Sequence, residues 1–195
     1  MNATIDSLSE VGYVGTTTRG VAARAGVTHG AQQHHYGTKL ALVDAALKRF
    51  AQTLAEEGPA VHLAAEAQAG ASRSEWERCE QLLDELWELH KLAVVGTIAE
   101  MLALSRTDPE IRELMAESST NAHVLAREST AQALPALGAL DGFGDWILMV
   151  LAAIRGLMLT VPLGLEGNAN LPWPAMRGDL LAALRAKAAA QGVVA

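Results

Sequence analysis

Apolar and polar residues follow one another along this chain with the spacing of helices rather than of strands. Near the N-terminus Ile5, Leu8 and Val11 recur every third residue, which places them on one face of a helix. Alanine and leucine are abundant, and runs of alternating β-branched residues are nearly absent. The pattern therefore predicts an all-α protein of about nine helices.

Glycines and prolines mark where helices are expected to end. Gly12 and Gly15 follow the first apolar face, and Leu134-Pro135 and Val161-Pro162 disfavour helical backbone before each proline. The stretch 146–154 reads WILMVLAAI, so a helix there is apolar all round and must be covered on every side. This predicts burial against a second copy of the chain. The alternative is the central helix of a monomeric bundle.

Two short helices with a glycine turn between them are predicted near the N-terminus. Thr17 is expected to cap the first helix and Thr28 the second. Gly26 can adopt the left-handed conformation that turns the chain sharply, and Val21 and Val27 are expected to supply core contacts. This pattern is typical of a helix-turn-helix, whose second helix enters the DNA major groove.

The second helix of this pair carries a polar face that is hard to explain as core. From Thr28 to Tyr36 it reads THGAQQHHY. Glutamine can make paired hydrogen bonds to adenine, and histidine or threonine can bond phosphates or base edges. Gly30 admits close approach of the backbone. These residues predict contacts with double-stranded DNA.

The same segment resembles the TetR family of transcriptional regulators. The resemblance is carried by GY at 12–13, TTTR at 16–19, VAARAGVT at 21–28, GA at 30–31 and HHYGTK at 34–39. Family members usually have a long apolar residue followed by an aromatic one, or Gln followed by Leu, where this chain has Gln32 and Gln33. That departure is expected to loosen the second helix or to change the bases it reads. Relatives often begin with a basic arm; either the start is truncated here or the arm is lacking.

The resemblance implies a homodimer in which each subunit has a three-helix head and a helical body. The body would hold a ligand cavity, and its last two long helices would form the dimer interface. Binding of a small-molecule effector would release the head from a palindromic operator, as in a repressor. We expect a DNA-binding domain over 1–50 and a ligand-binding and dimerisation domain over 51–195.

The resemblance also places the DNA contacts on particular residues. Thr17 and Thr28 would face phosphates from helix N-termini, and Lys39 would contact a phosphate at the start of the fourth helix. Further phosphate contacts are expected from Gln33, His34 and Tyr36. Base reading is expected from His29, Gly30, Gln32 and Gln33.

A net negative charge argues against DNA binding, but the charge of this chain is divided unevenly along the sequence. The whole chain has 15 basic and 22 acidic side chains, for a net charge of −7. Residues 1–50 hold five basic and three acidic side chains, so the acidic excess belongs to the remainder. A mildly basic head on an acidic body is expected when only the head meets phosphate.

The body contains large side chains that could surround an effector. Those expected to line a cavity are Trp87, His90, Met101, His123, Trp146 and Met149. Ordinary core packing is the alternative for each of them. Aromatic and Met side chains would favour a hydrophobic effector. Arg155 interrupts an apolar helix, either as a buried ion pair across a dimer or as the anchor of an anionic ligand.

Other classes of protein find little support in the sequence. The single cysteine, Cys79, excludes an intrachain disulfide, and the longest apolar run is too short to span a membrane. No secretory signal is evident, so a cytoplasmic protein is expected. No metal, cofactor or enzyme motif is present, so we expect no cofactor and no enzyme. The alternatives are an effector-binding regulator with impaired DNA binding and a helical-bundle enzyme.

Overall fold

The computed structural model describes residues 2–70, 73–160 and 173–193, and every regular element in these ranges is a helix. The all-α prediction is confirmed. The helices of these ranges are α1 (Asn2–Gly15), α2 (Thr18–Arg24), α3 (His29–Tyr36), α4 (Lys39–Glu57), α5 (Pro59–Gln68), α6 (Glu75–His90), α7 (Ala93–Leu104), α8 (Pro109–Ala133), α9 (Pro135–Gly138), α10 (Phe143–Thr160) and α11 (Trp173–Ala190). The predicted helix end at Val161-Pro162 lies outside the described residues.

The predicted threonine caps are confirmed at the starts of α2 and α3, and a third threonine caps α4 in the same way. The hydroxyl of Thr17 accepts a hydrogen bond from the backbone N–H of Gly20 at 3.0 Å. The Thr28 hydroxyl accepts one from the third residue of its helix at 3.2 Å, and Thr38 does the same for α4 at 3.1 Å. Each cap satisfies a backbone donor that the first turn of a helix leaves open.

The first helix is broken rather than ended at Gly12. This glycine has φ 68° and ψ −175°, a conformation that residues with a side chain rarely adopt. Helical backbone resumes after it and continues to Gly15. The sequence located the interruption correctly but missed the short helical segment that follows.

The sequence prediction lacks the short helix α9, since it treats Pro135 only as a stop signal. Proline is also favoured in the first turn of a helix, where its missing N–H costs nothing. The Glu75 carboxylate accepts hydrogen bonds from the backbone N–H groups of Ala136 and Leu137, both at 2.9 Å. This distant cap completes the start of α9.

The described residues pack into two compact units. The first contains residues 2–53 and 91–122, and the second contains 54–90 together with the described residues from 123 onward. The first unit thus joins the N-terminal helices to α7 and the beginning of α8. The functional division at residue 50 remains a proposal.

The first unit is built around a small apolar core. Its fully buried members come from α1, α4, α7 and α8, and they are Leu8, Val43, Leu47, Met101, Ile111 and Met115. α1 packs on α7, and the Thr97 hydroxyl donates a 2.6 Å hydrogen bond to the Leu8 carbonyl. This bond is buried and joins residues far apart in sequence.

The second unit has the larger core, centred on α6, α10 and α11. Trp146 is almost fully buried, and its indole N–H donates to the Leu180 carbonyl at 2.9 Å. Cys79 is buried in the same core, and burial raises the pKa of its thiol to about 12. No helix among the described residues combines the length and apolarity needed to cross a membrane.

Candidate functional site

The helix-turn-helix geometry is formed by α2, a turn at Gly26 and α3. Gly26 has φ 67°, as its left-handed role requires. Val21 is buried, as expected, but Val27 is 49% exposed, so the expectation that it supplies core is wrong. The Thr18 hydroxyl and the His29 Nε2 are hydrogen bonded at 3.3 Å, which ties the start of α2 to the start of α3.

One face of α3 presents polar side chains to solvent. Gly30, Gln33 and His34 are exposed, and Tyr36 is half-buried at the end of the helix. The Gln33 Nε2 donates to the Gly37 carbonyl at 3.1 Å, which leaves the amide oxygen and one N–H for other partners. The His34 ring meets the neighbouring His35 ring edge to face, with centroids 5.8 Å apart. This face fits the contacts expected of a recognition helix.

Gln32 does not share that exposed face. It is 6% exposed, and neither its Oε1 nor its Nε2 has a hydrogen-bond partner among the described residues. A buried amide without partners cannot reach a base edge in this conformation, and it weakens the packing around it. Gln32 is therefore an interior residue of the head rather than a base reader.

Lys39 is half-buried and partly committed to contacts inside the first unit. Its Nζ donates to the Val14 carbonyl at 3.3 Å and lies 4.2 Å from the centroid of the Tyr13 ring. Burial lowers the pKa of Lys39, and the negative charge of Glu100 opposes that shift. An ammonium group has three donors, so a contact with phosphate remains a prediction.

Two exposed threonines and one arginine complete the surface of the head. The hydroxyls of Thr17 and Thr28 accept from their own helices, and each still has its O–H to donate to a phosphate. The Arg24 guanidinium makes paired hydrogen bonds with the Glu10 carboxylate. This pair raises the pKa of Arg24 and lowers that of Glu10. Arg24 is thus engaged within the head.

A carboxylate that the sequence did not single out stabilises the end of α1. Glu100 Oε2 accepts a hydrogen bond from the backbone N–H of Tyr13 at 2.8 Å, and Oε1 accepts one from Val14 at 3.1 Å. Both donors follow the break at Gly12, where the helix leaves its N–H groups open. The available signal was that Glu100 is the single charged residue of α7, whose sequence is AVVGTIAEMLAL.

The head matches a known family over nearly its whole length. The sequence profile described as "Bacterial regulatory proteins, tetR family" matches residues 1–46, which include α1, α2, α3 and the start of α4. Residues 1–46 thus carry a head of the TetR type, which confirms the resemblance carried by residues 12–39. The chain is a DNA-binding transcriptional regulator.

Comparisons with whole proteins extend this likeness beyond the head. The regulator is 24% identical over 156 residues to the HTH-type transcriptional regulator CymR of Pseudomonas putida, covering 80% of this chain and 73% of that protein. A TetR-family regulator of Rhodococcus sp. has a TM-score of 0.63 at 18% identity, over 95% of this chain and 94% of its own. For the regulator FadR of Bacillus subtilis, solved with stearoyl-CoA, the TM-score is 0.60 at 15% identity, and 94% of each chain is covered. At these identities the structures establish the fold.

Three of the predicted ligand residues, Trp87, His90 and His123, lie on α6 and α8 in the second unit. Trp87 is half-buried and stacks on Trp173, with ring centroids 5.0 Å apart and planes 2° from parallel. His90 is 8% exposed, and its Nδ1–H donates to the Leu86 carbonyl at 2.7 Å. His123 is half-buried on α8. Their role in ligand binding remains a proposal.

The other three predicted ligand residues are placed differently. Met101 lies fully buried in the core of the first unit. Trp146 packs on Phe143 in the core of the second, with its N–H already bonded. Met149 is 44% exposed on α10. Core packing accounts for Met101 and Trp146, and Met149 lies on an outer surface rather than around a cavity.

The acidic excess of the second unit is concentrated along one side of α6. An open groove of about 370 Å³ is lined there by Glu77, Glu80, Gln81, Asp84, Glu85, Glu88 and Arg177. Arg177 pairs with the carboxylates of Glu80 and Asp84. The remaining carboxylates give this surface the negative charge that the sequence assigned to the body.

Proposed function

We propose that the protein is a dimeric repressor that binds a near-palindromic operator and leaves it when a small molecule binds the second unit. The observation that carries the proposal is the pair α2 and α3 around Gly26, with an exposed polar face on α3. In a dimer, two such helices would enter successive major grooves about 34–36 Å apart.

The DNA contacts that we propose combine helix starts with side chains. Thr17 and Thr28 lie at helix N-termini, where open N–H groups and the helix dipole favour phosphate. Lys39 supplies a positive charge near the same surface. Gln33 is the best candidate for base reading because its amide is exposed and paired contacts to adenine suit it. His29, Gly30, His34 and Tyr36 complete the proposed interface.

The outer surfaces of α10 and α11 support the proposed dimer. Leu148, Met149 and Leu159 are between 42% and 58% exposed on α10, although the helix is mainly apolar. On α11 four small residues at helical spacing are exposed, namely Gly178, Ala182, Ala186 and Ala189. Apolar and small surfaces of this kind allow two copies to pack closely about a two-fold axis.

The effector site that we propose lies in the second unit and draws on Trp87, His90 and His123. A small-molecule ligand is supported by the Bacillus subtilis relative, which was solved with stearoyl-CoA. We infer that the protein acts by binding, without turnover. Turnover of a compound by the purified protein would favour the enzyme alternative.

The direct experiment is a binding titration with labelled DNA from upstream of the protein's own coding region. We expect one dimer to bind one near-palindromic site and a scrambled duplex to bind far more weakly. Binding of both duplexes with equal affinity would instead favour a regulator with impaired DNA recognition.

A further inference from the structure

Arg155 is a half-buried charged residue in the apolar helix α10. Its neighbours Ile154 and Leu157 belong to the core of the second unit and are 0% and 7% exposed. The guanidinium Nε is buried and has no hydrogen-bond partner among the described residues. Burial is the cause that lowers the pKa of Arg155, and no carboxylate in the part of the chain that the structure describes opposes this shift.

Such an arrangement is costly unless something else supplies a negative charge. Removing a guanidinium from water costs several kcal/mol, and proteins normally offset this with a hydrogen-bonded anion. Arg78, which is 7% exposed, follows this rule. Its Nη2 lies 3.9 Å from the Glu75 carboxylate, and its Nε donates to the Ala133 carbonyl at 3.1 Å. Arg155 departs from this rule.

Two histidines from other helices are electrostatically coupled to Arg155. Burial lowers the pKa of His90; its bond to Leu86 opposes the shift, and the charge of Arg155 adds to it. Burial also lowers the pKa of His123, and Arg155 lowers it further. The end of α6, the middle of α8 and the second half of α10 therefore place these three groups near one another. Because Nδ1 of His90 is bonded to Leu86, its Nε2 is the atom left to meet a ligand.

We propose that Arg155, with His90 and His123 beside it, binds the head group of a small amphipathic anion. This inference rests on the proposed effector site and names the class of its ligand. A guanidinium presents parallel donors that match a carboxylate or a phosphate monoester. The apolar neighbours of Arg155 would receive the uncharged body of the ligand. A few polar groups converging within apolar surroundings are typical of small-molecule sites.

The test compares two fluorescent probes of similar shape. 1-Anilinonaphthalene-8-sulfonate carries an anionic group, whereas N-phenyl-1-naphthylamine has the same rings without it. Both are titrated into the wild-type protein and into Arg155→Met, Arg155→Lys and Arg127→Met. Arg127 is an exposed residue of α8, so its variant is matched for the loss of one positive charge.

We expect Arg155→Met to weaken binding of the anionic probe at least about tenfold and to leave the neutral probe unchanged. Arg155→Lys should retain part of the affinity for the anionic probe, and Arg127→Met should retain all of it. The proposal is overturned if the wild type does not bind the anionic probe, or if Arg155→Met binds it normally. Loss of both probes together with dissociation of a dimer would also overturn it, because Arg155 would then be part of an ion pair between subunits.

Competition distinguishes the two head groups. Octanoate should displace the anionic probe if the site takes carboxylates, and octyl phosphate if it takes phosphate monoesters. 1-Octanol, which has the same chain without a charge, should displace it much less. Equal displacement by all three would contradict an anion site. Operator binding by the wild type is measured separately, so failure here would leave the DNA-binding proposal standing.

Discussion

The Glu100 carboxylate accepts a hydrogen bond from the backbone N–H of Tyr13, although 87 residues separate the two in sequence. A second bond to Val14 makes this side chain a cap for the helical segment that follows the break at Gly12. Because Lys39 bonds the Val14 carbonyl, one short stretch of α1 joins α7 to the start of α4. Glu100 therefore supplies acceptors for two backbone donors at the break in α1.

Glu100→Ala should lower the free energy of unfolding by about 1–3 kcal/mol, because two backbone donors lose a charged acceptor. Urea unfolding followed by circular dichroism measures the change. Glu113→Ala is the matched control, since Glu113 is an exposed glutamate in α8 of the same unit. Equal stability of the two variants would show that the cap contributes nothing.

Gln32→Leu should stabilise the protein by about 1–3 kcal/mol, because it replaces a buried amide without partners by an apolar group. The preference for particular bases should stay the same. Gln33→Leu, the adjacent exposed position, should give no such gain in stability. If Gln32→Leu instead destabilises the fold or changes sequence preference, the interior placement of Gln32 is wrong.

Gln33→Ala should relax sequence preference at one position of each half-site, with a loss of about 1–3 kcal/mol in discrimination. Binding to duplexes substituted at single positions measures this. Lys39→Ala provides the contrast, because losing a phosphate contact weakens binding to all sequences alike. If Gln33→Ala weakens every duplex equally, Gln33 contacts the DNA backbone instead.

Ala182→Arg should convert the proposed dimer into monomers, because a long charged side chain would separate the small-residue faces of α11. Sedimentation equilibrium gives the mass directly. Ala65→Arg on α5 places the same side chain at another exposed alanine and should remain dimeric. Dimers in both variants, or a monomeric wild type, would contradict the proposed interface.

Local signals predicted the elements well, because caps and turns depend on neighbouring residues. Thr17, Thr28 and Gly26 each act within a few residues along the chain, and each has its predicted role. The recognition of the family rests on the same short-range pattern. The sequence of residues 12–39 was therefore enough to predict α2, α3 and the helix-turn-helix that they form.

What the sequence missed depends on contacts between distant segments. Glu75 caps a residue that is 61 positions away in sequence, and Glu100 caps one that is 87 positions away. Gln32 lies on the buried side of α3 because of how the head packs, although its own side chain is polar. For the same reason Met101 and Met149 have positions that composition could not assign.

The most direct test of the central claim is the salt dependence of binding to a duplex that contains the protein's operator. If each head of a dimer neutralises at least two phosphates, the logarithm of the binding constant should fall with the logarithm of salt concentration with a slope of about −3.5 or steeper. Affinity would then drop about a hundredfold between about 50 and 200 mM salt. A flat dependence, or the same affinity for a scrambled duplex, would contradict the account of this protein as an operator-binding regulator.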